Sequence, residues 1–361
     1  MNLKKIVLTG GPCAGKTTAL KNIKEYLQSK NIPVITVPES ATELILNGIN
    51  PWSVPVYNFQ DLVLEKQYSK EIIAESYAKI FAKDEETCVI IYDRGIIDNK
   101  AYLESNDDFT KLLKKANLNE IDILDSYDIV LDLLSTATCK KEVYNLLNEA
   151  RMEDVNTAVE VDRRTTKAWI HHRNLNIIPS TISLEEETKL ILEIIDNFLN
   201  DKQTKKINKY LLDNNSDISI YNESNSEKVD ITSYTLDYNN YKYVLTKRKY
   251  KDNISYIYEV YTSYNNFKTY IENKKITKEE FYELLCTNTI KQKEDYEEIN
   301  FLYNNLKYRI CVFDNYKTLE VENLLNNKLQ IPENLSIIEG KKEEESLSKS
   351  RARIRRKNGD L

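Results

Sequence analysis

The residues with the plainest chemistry are Gly10-Gly11-Pro12-Cys13-Ala14-Gly15-Lys16-Thr17, which satisfy the pattern G-x-x-x-x-G-K-[ST]. Glycines let such a loop curl so that its backbone N–H groups point inward, and the helix that follows aims its positive dipole end at bound phosphates. Lys16 then reaches the β- and γ-phosphates, Thr17 ligates Mg²⁺, and Thr18 completes the phosphate-binding run. The chain holds only seven glycines, and three of them stand in this octet, which argues against a chance match.

A loop of this kind needs an acid near the metal at the end of a neighbouring strand. Asp93 closes the apolar run Cys88 to Tyr92 where that acid belongs, and Arg94 and Gly95 follow at once. A permanently charged arginine there can clamp a second phosphate group or an acceptor. Glu39 follows a second apolar run, in Val37-Pro38-Glu39-Ser40. It suits a general base toward an acceptor hydroxyl, a hydrogen bond to a ribose, or an acid at a helix start. Arg163 and Arg164, with Arg151, lie in the helical stretch Tyr144 to Trp169, where arginines suit a lid closing over transferring phosphates. Lys16, Asp93, Arg94, Glu39, Arg163 and Arg164 are thus the candidate catalytic set, with Thr17 and Asp93 at the metal. His171 and His172 are the only histidines, and with no Cys/His cluster nearby they do not suggest zinc.

These side chains need a scaffold, and up to about residue 200 short apolar runs alternate with long helical patterns. Lys5 to Thr9, Pro33 to Val37, Cys88 to Tyr92, Asp128 to Leu133 and Leu175 to Ile178 read as strands buried on both faces. Thr17 to Lys30, Gln60 to Lys83 and Leu184 to Asn200 place apolar residues at helical spacing, which predicts a parallel sheet with helices on both sides. From Lys205 the texture becomes alternating and tyrosine-rich, as in Lys242 to Tyr250, Ile254 to Tyr261 and Leu306 to Phe313, the pattern of antiparallel strands with one wet face. A helix over Thr277 to Leu285 opens with the capping pattern Thr277-Lys-Glu-Glu280. Asp213 to Ser226 reads as a long connection.

At 361 residues the chain exceeds one compact core, so the expectation is a nucleotide-binding α/β domain over 1–200, an antiparallel domain over 201–340 and a charged tail over 341–361. No apolar run approaches a membrane span, nothing resembles an export signal, and the five cysteines are odd in number and scattered. Together these suggest reduced thiols in the cytoplasm. Residues 1–200 carry 23 basic and 31 acidic side chains, and residues 201–361 carry 28 and 26, so the net charge of -6 belongs to the first part. The tail stretch Lys349 to Lys357 holds six positive charges in nine residues, a solvated segment or a contact for nucleic acid, an anionic membrane or an acidic partner.

With the loop, Asp93-Arg94-Gly95 and the paired arginines in place, residues 3–200 resemble the P-loop kinase-like ATPase domain of the nicotinamide-riboside-kinase and TRPL-translocation-defect-protein families. The resemblance is carried by residues 10–18, 37–45, 92–102, 127–133 and 163–178. It implies a five-stranded kinase-type core with the Asp93 strand beside the loop strand, binding ATP or GTP with Mg²⁺. Where that family has Trp-x-Gly-His, this chain has Trp169-Ile170-His171-His172. A guanine box is lacking, since Asn99-Lys100 continues with Ala101-Tyr102, which disfavours a Ras-type GTPase.

Residues 205–340 resemble a CYTH domain, a triphosphate-tunnel barrel, on the stretches 205–212 and 319–340. The resemblance implies glutamates for metal set against lysines and arginines for phosphate; candidates are Lys209, Lys247, Arg248, Lys249, Glu272, Lys291, Lys293, Arg309, Glu320 and Glu322. Where the opening strand of that family reads Glu-x-Glu-x-Lys, this one reads Lys205-Lys206-Ile207-Asn208-Lys209, so a polyphosphate-binding tunnel without hydrolysis is expected. Three functions compete. One is a Mg²⁺-dependent kinase or NTPase acting on a nucleotide or a small phosphate acceptor. Another is a nucleotide-regulated module that binds a polyphosphate, phospholipid or protein. The third is a nucleic-acid end-processing factor using the tail.

Overall fold

The computed structural model describes residues 2–81, 87–139, 155–180, 182–213, 215–219, 221, 228–236, 241–264, 267–324 and 329–338. Arg151 and the basic stretch within 341–361 lie outside these residues. The chain divides into two compact units, residues 1–196 and 197–361, with the division inside a helix.

The first unit begins with β1 (Asn2–Thr9), α1 (Lys16–Ser29), β2 (Val34–Val37), α2 (Ser40–Leu46), α3 (Val56–Phe81) and β3 (Thr87–Asp93). A 3-10 turn (Ile96–Asp98), α4 (Asn99–Tyr102), α5 (Asn106–Lys115) and α6 (Glu120–Leu124) lead to β4 (Ile129–Leu133). Then come α7 (Thr136–Cys139), α8 (Val155–Ala168), β5 (Leu175–Ile178) and α9 (Leu184–Leu199). The strands form one parallel sheet in the order β2-β3-β1-β4-β5. Its central residues, Ile6 to Leu8, Val89 to Tyr92 and Ile129 to Leu131, are completely buried, as continuous β-rich runs covered by helices on both faces must be. Register then aligns the functional ends: Leu8 pairs with Asp93, Thr9 with Asp132, and Val37 with Tyr92. The carboxyl edge of the sheet therefore gathers the glycine loop, Asp93 and Glu39, at the place where open α/β sheets bind ligands.

The second unit consists of β6 (Lys206–Leu212), β7 (Lys228–Leu236), β8 (Lys242–Tyr250), β9 (Asn253–Tyr264), β10 (Phe267–Ile276), α10 (Lys278–Thr287), β11 (Ile290–Tyr303), β12 (Leu306–Val312) and β13 (Lys317–Asn323). Thr277 and Glu280 form the expected capping box on α10, each satisfying the other's backbone N–H. Phe281 of α10 packs with Leu236, Leu245, Tyr256 and Ile276.

The strands form an eight-stranded antiparallel sheet in the order β10-β9-β8-β7-β11-β12-β13-β6. This corrects the expected barrel. The outer strands share no ladder: one bridge, Lys202 to Thr269, and two backbone bonds, Gln203 N to Lys268 O and Asp201 O to Tyr270 N, bring the ends together. A register shift between Tyr270 and Glu272 interrupts the β9–β10 ladder just beyond that contact. Alternation along β11 to β13 gives the sheet two unlike faces. One carries Ile299, Tyr308, Ile310, Leu319 and Val321 in an apolar core, and the other carries Glu298, Asn300, Lys307, Arg309, Glu320 and Glu322.

Candidate functional site

The glycine loop takes its shape from close backbone approach. Gly10 has φ 134°, and a Cβ there would sit 2.0 Å from the Leu133 carbonyl oxygen; Gly15, with φ 79°, starts α1 in the left-handed region. Lys16 is buried, and its Nζ donates to the carbonyls of Gly10 at 3.0 Å and Gly11 at 2.9 Å. Gly15, Thr17 and Thr18 are exposed at the start of α1, while Pro12 and Ala14 are buried and Cys13, with φ 54°, is half-buried.

Asp93, Arg94 and Glu39 come together beside this loop. Arg94 has φ 66°, a strained backbone for a non-glycine residue, and is nearly buried. Its Nε donates to Glu39 Oε1 at 2.5 Å, its Nη1 to Asp98 Oδ1 at 3.2 Å, and its guanidinium lies 5.7 Å from the Tyr102 ring centre. Glu39 occupies the N-cap position of α2 but its side chain caps nothing; the second carboxylate oxygen takes the Thr42 hydroxyl at 2.6 Å. Burial alone would raise the Glu39 pKa, yet the charges of Arg94 and Lys16 outweigh it and hold the group at about 2. Asp93 moves the other way. Burial and the negative charge of Glu39 raise its pKa against the pull of Lys16 and Arg94, and its buried Oδ1 has no hydrogen-bond partner among the described residues.

That orphaned oxygen suits a cation. Among the described residues no group of three or more His, Cys, Asp or Glu side chains is placed to hold a metal. One carboxylate and one hydroxyl nevertheless fit Mg²⁺, which keeps several waters and takes other ligands from phosphates.

The remaining sequence candidates lie elsewhere. Arg163 is exposed and pairs with Glu160 at 2.8 Å, and Arg164 donates to the Leu103 carbonyl. The expected lid arginines are therefore not brought to the loop: the helical period turns Arg163 to solvent, and a backbone acceptor holds Arg164. His171 and His172 are buried in the core, where His172 Nε2 meets the Tyr127 carbonyl at 3.0 Å.

Sequence reasoning missed a buried layer behind Arg94. Gln67 of α3 donates to the Arg94 carbonyl at 3.0 Å and to Glu71 at 2.8 Å, and accepts from the Ser40 hydroxyl at 2.7 Å. Tyr127 donates to Glu71 at 2.9 Å, and burial pushes that carboxyl up to about 7. Asp132, completely buried at the end of β4, has no hydrogen-bond partner within reach among the described residues; burial and the nearby Asp162 charge outweigh the pull of the Thr166 hydroxyl and push it up to about 8. The only sequence signal for these residues was a polar side chain inside an apolar pattern.

The second unit has a different cluster. Arg309 reaches Glu298 at 3.4 Å, Glu320 at 3.1 Å and Glu322 at 3.4 Å. Lys209 pairs with Glu320 at 2.8 Å, Lys205 with Glu322, and Lys307 lies 3.7 Å from Glu322. Burial tends to raise the Glu320 pKa, but Lys209 and Arg309 hold it at about 2, whereas burial draws Lys307 down to about 7. Of the candidates, Lys209, Arg309, Glu320 and Glu322 belong to this cluster, and buried Arg248 adds charge beside Glu298. Lys249, Lys291 and Lys293 are exposed, Lys247 is half-buried, and Glu272 pairs with Lys274 at 2.5 Å. Lys205, Glu298 and Lys307 were missed.

A family model described as an AAA domain matches residues 5–187. No curated protein matches the chain. Solved structures to which the chain is similar include deoxyadenosine kinase from M. mycoides with bound dATP, at 16% identity, 54% of this chain, 99% of that chain and a TM-score of 0.39. Another is the inorganic triphosphatase NE1496, at 12% identity, 37% of this chain, 85% of that one and a TM-score of 0.26. Likeness at this level carries no functional argument, so chemistry rests on the residues above.

Proposed function

The chain belongs to the AAA domain family, and from that premise we propose a Mg²⁺-dependent, ATP- or GTP-using phosphotransferase or NTPase of kinase type. The acceptor would be a nucleotide or another small phosphate-containing molecule. One observation carries the reading: Lys16, Glu39, Asp93, Arg94 and Asp98 form a single charge cluster at the carboxyl edge of the parallel sheet. In it Lys16 and the loop N–H groups bind the β- and γ-phosphates, and Arg94 neutralises charge on the transferring group or the acceptor. Thr17 and Asp93 would hold Mg²⁺, which when bound offsets phosphate charge. Glu39, ionised at every physiological pH, is too weak a base to store a proton and instead orients an acceptor hydroxyl by accepting its hydrogen bond.

The test is product analysis of ATP and GTP with Mg²⁺ and a panel of nucleosides, nucleotides and polyphosphates. Transfer or hydrolysis is expected, with Asp93→Asn retaining weak nucleotide binding that Mg²⁺ no longer tightens. Turnover unchanged in Asp93→Asn would reject the metal assignment.

A second reading concerns the antiparallel unit. Lys205, Lys209, Arg248, Lys307 and Arg309 outnumber Glu298, Glu320 and Glu322, which favours a site for a phosphate-rich anion. Since these glutamates are engaged by cations, metal-dependent hydrolysis there is not proposed.

A further inference from the structure

α8 and the residue directly after it grip both halves of the nucleotide site. Asp162, 1% exposed, accepts the Gly11 N–H at 2.8 Å through Oδ1 and the Ser135 N–H at 3.1 and 3.0 Å through its two oxygens. A Cβ on Gly11 would lie 2.5 Å from Asp162 Oδ1, so a glycine there is the condition for this contact. Ser135 then donates its hydroxyl to the Pro12 carbonyl, and Thr136 donates to the Cys13 carbonyl at 3.4 Å. The Ser135 and Thr136 bonds engage loop carbonyls and the Asp162 bond the Gly11 N–H, leaving later N–H groups to face a phosphate.

Seven residues after Asp162, directly beyond the end of α8, stands buried Trp169. Its Nε1 donates to Asp98 Oδ2 at 3.3 Å. Asp98 also accepts the Gly95 N–H at 2.9 Å, Arg94 Nη1 at 3.2 Å and the Thr9 hydroxyl. A Cβ on Gly95 would lie 2.9 Å from the indole. α8 and the residue that follows it therefore hold the glycine loop at one point and the Arg94 turn at the other.

We infer that Asp162 and Trp169 are positioning residues that make α8 a bracket, coupling phosphate occupancy of the glycine loop to the placement of Arg94. The inference rests on the nucleotide reading above and adds a route by which the loop and the arginine respond together. Neither side chain touches the reacting atoms.

The chain has two tryptophans, and Trp52 is 63% exposed, so in Trp52→Phe the emission reports Trp169 alone. That variant is titrated with ATP and Mg²⁺ while calorimetry measures affinity independently. A saturable change in Trp169 emission, tracking the calorimetric Kd, is expected. In the same background Asp162→Ala should weaken ATP about tenfold or more, as loss of a charged acceptor does, and should shrink the emission change at saturation. Asp162→Asn keeps the Oδ1 acceptor and should fall between. A stability role alone would lower the melting temperature of these variants and leave both readouts intact at 25 °C. The bracket is overturned if calorimetry records binding without any emission change, or if both Asp162 variants respond as Trp52→Phe does. If Asp162→Ala does not fold, an unaltered affinity and emission response in Asp162→Asn overturns it by itself. Absence of ATP binding to the unmodified chain would instead defeat the nucleotide reading.

Discussion

The two units bury charge in opposite ways. At the parallel sheet, Asp93 Oδ1 and both oxygens of Asp132 lie buried without hydrogen-bond partners among the described residues, and Asp93 and Asp132 have raised pKa values. On the charged face of the antiparallel sheet, Arg309 joins Glu298, Glu320 and Glu322, and lysines take up further carboxylate oxygens. Of the acids of the first kind, Asp93 stands at the site edge beside Lys16 and Arg94, while Asp132 keeps its proton inside the sheet. Those of the second kind hold the sheet together and leave a surplus of cations.

The sharpest break in this contrast is Arg309→Ala, which removes the one cation shared by three buried carboxylates. Removing one partner from a buried ion pair costs about 3–5 kcal/mol, so the antiparallel unit should unfold at much lower urea concentration. A loss below about 1 kcal/mol in urea titration would mean that the cluster is solvated.

A smaller effect separates Asp132 from the paired glutamates. Its folded pKa, about 8, is raised above the ordinary value of 3.8, so the folded state keeps a proton that the unfolded chain releases. Stability attributable to this group is therefore greatest below about pH 4, falls as pH rises toward 8, and levels off above it, with a slope approaching ~1.4 kcal/mol per pH unit. Asp132→Asn is neutral throughout and should gain on the parent between pH 5 and pH 8 in urea midpoints. A parent-to-variant difference independent of pH would place the proton elsewhere.

The weakest effect concerns the surplus of cations. With the nucleotide site disabled by Lys16→Ala, the full chain should still bind tripolyphosphate, persist in doing so under chelation, and lose affinity as salt screens the attraction over ~8–10 Å. Binding that requires divalent metal would show that the glutamates are not fully engaged by their cations.

The glycine octet, the five buried runs and Asp93-Arg94-Gly95 were legible because each is a local pattern: a loop that needs glycine, a strand buried on both faces, an acid closing a strand. Asp162 was not, since it neighbours Arg163 and Arg164 on a helix and meets Gly11 only through the fold. The two arginines drew attention by charge while their helical phase sent them elsewhere. In the antiparallel unit, alternation revealed strands, but the face shared by Lys205, Glu298 and Lys307 depends on register between distant strands. How the outer ends of the sheet meet likewise rests on pairing of residues 201–203 with 268–270, which alternation does not reveal.

The central claim is that the octet binds nucleotide phosphate through Lys16, and thermal unfolding of the parent and Lys16→Ala with ATP and Mg²⁺ tests it most directly. At 100 times the dissociation constant, ligand should stabilise the parent by about 2.7 kcal/mol and raise its melting temperature, while Lys16→Ala should show no shift. Equal shifts in both proteins would contradict the account.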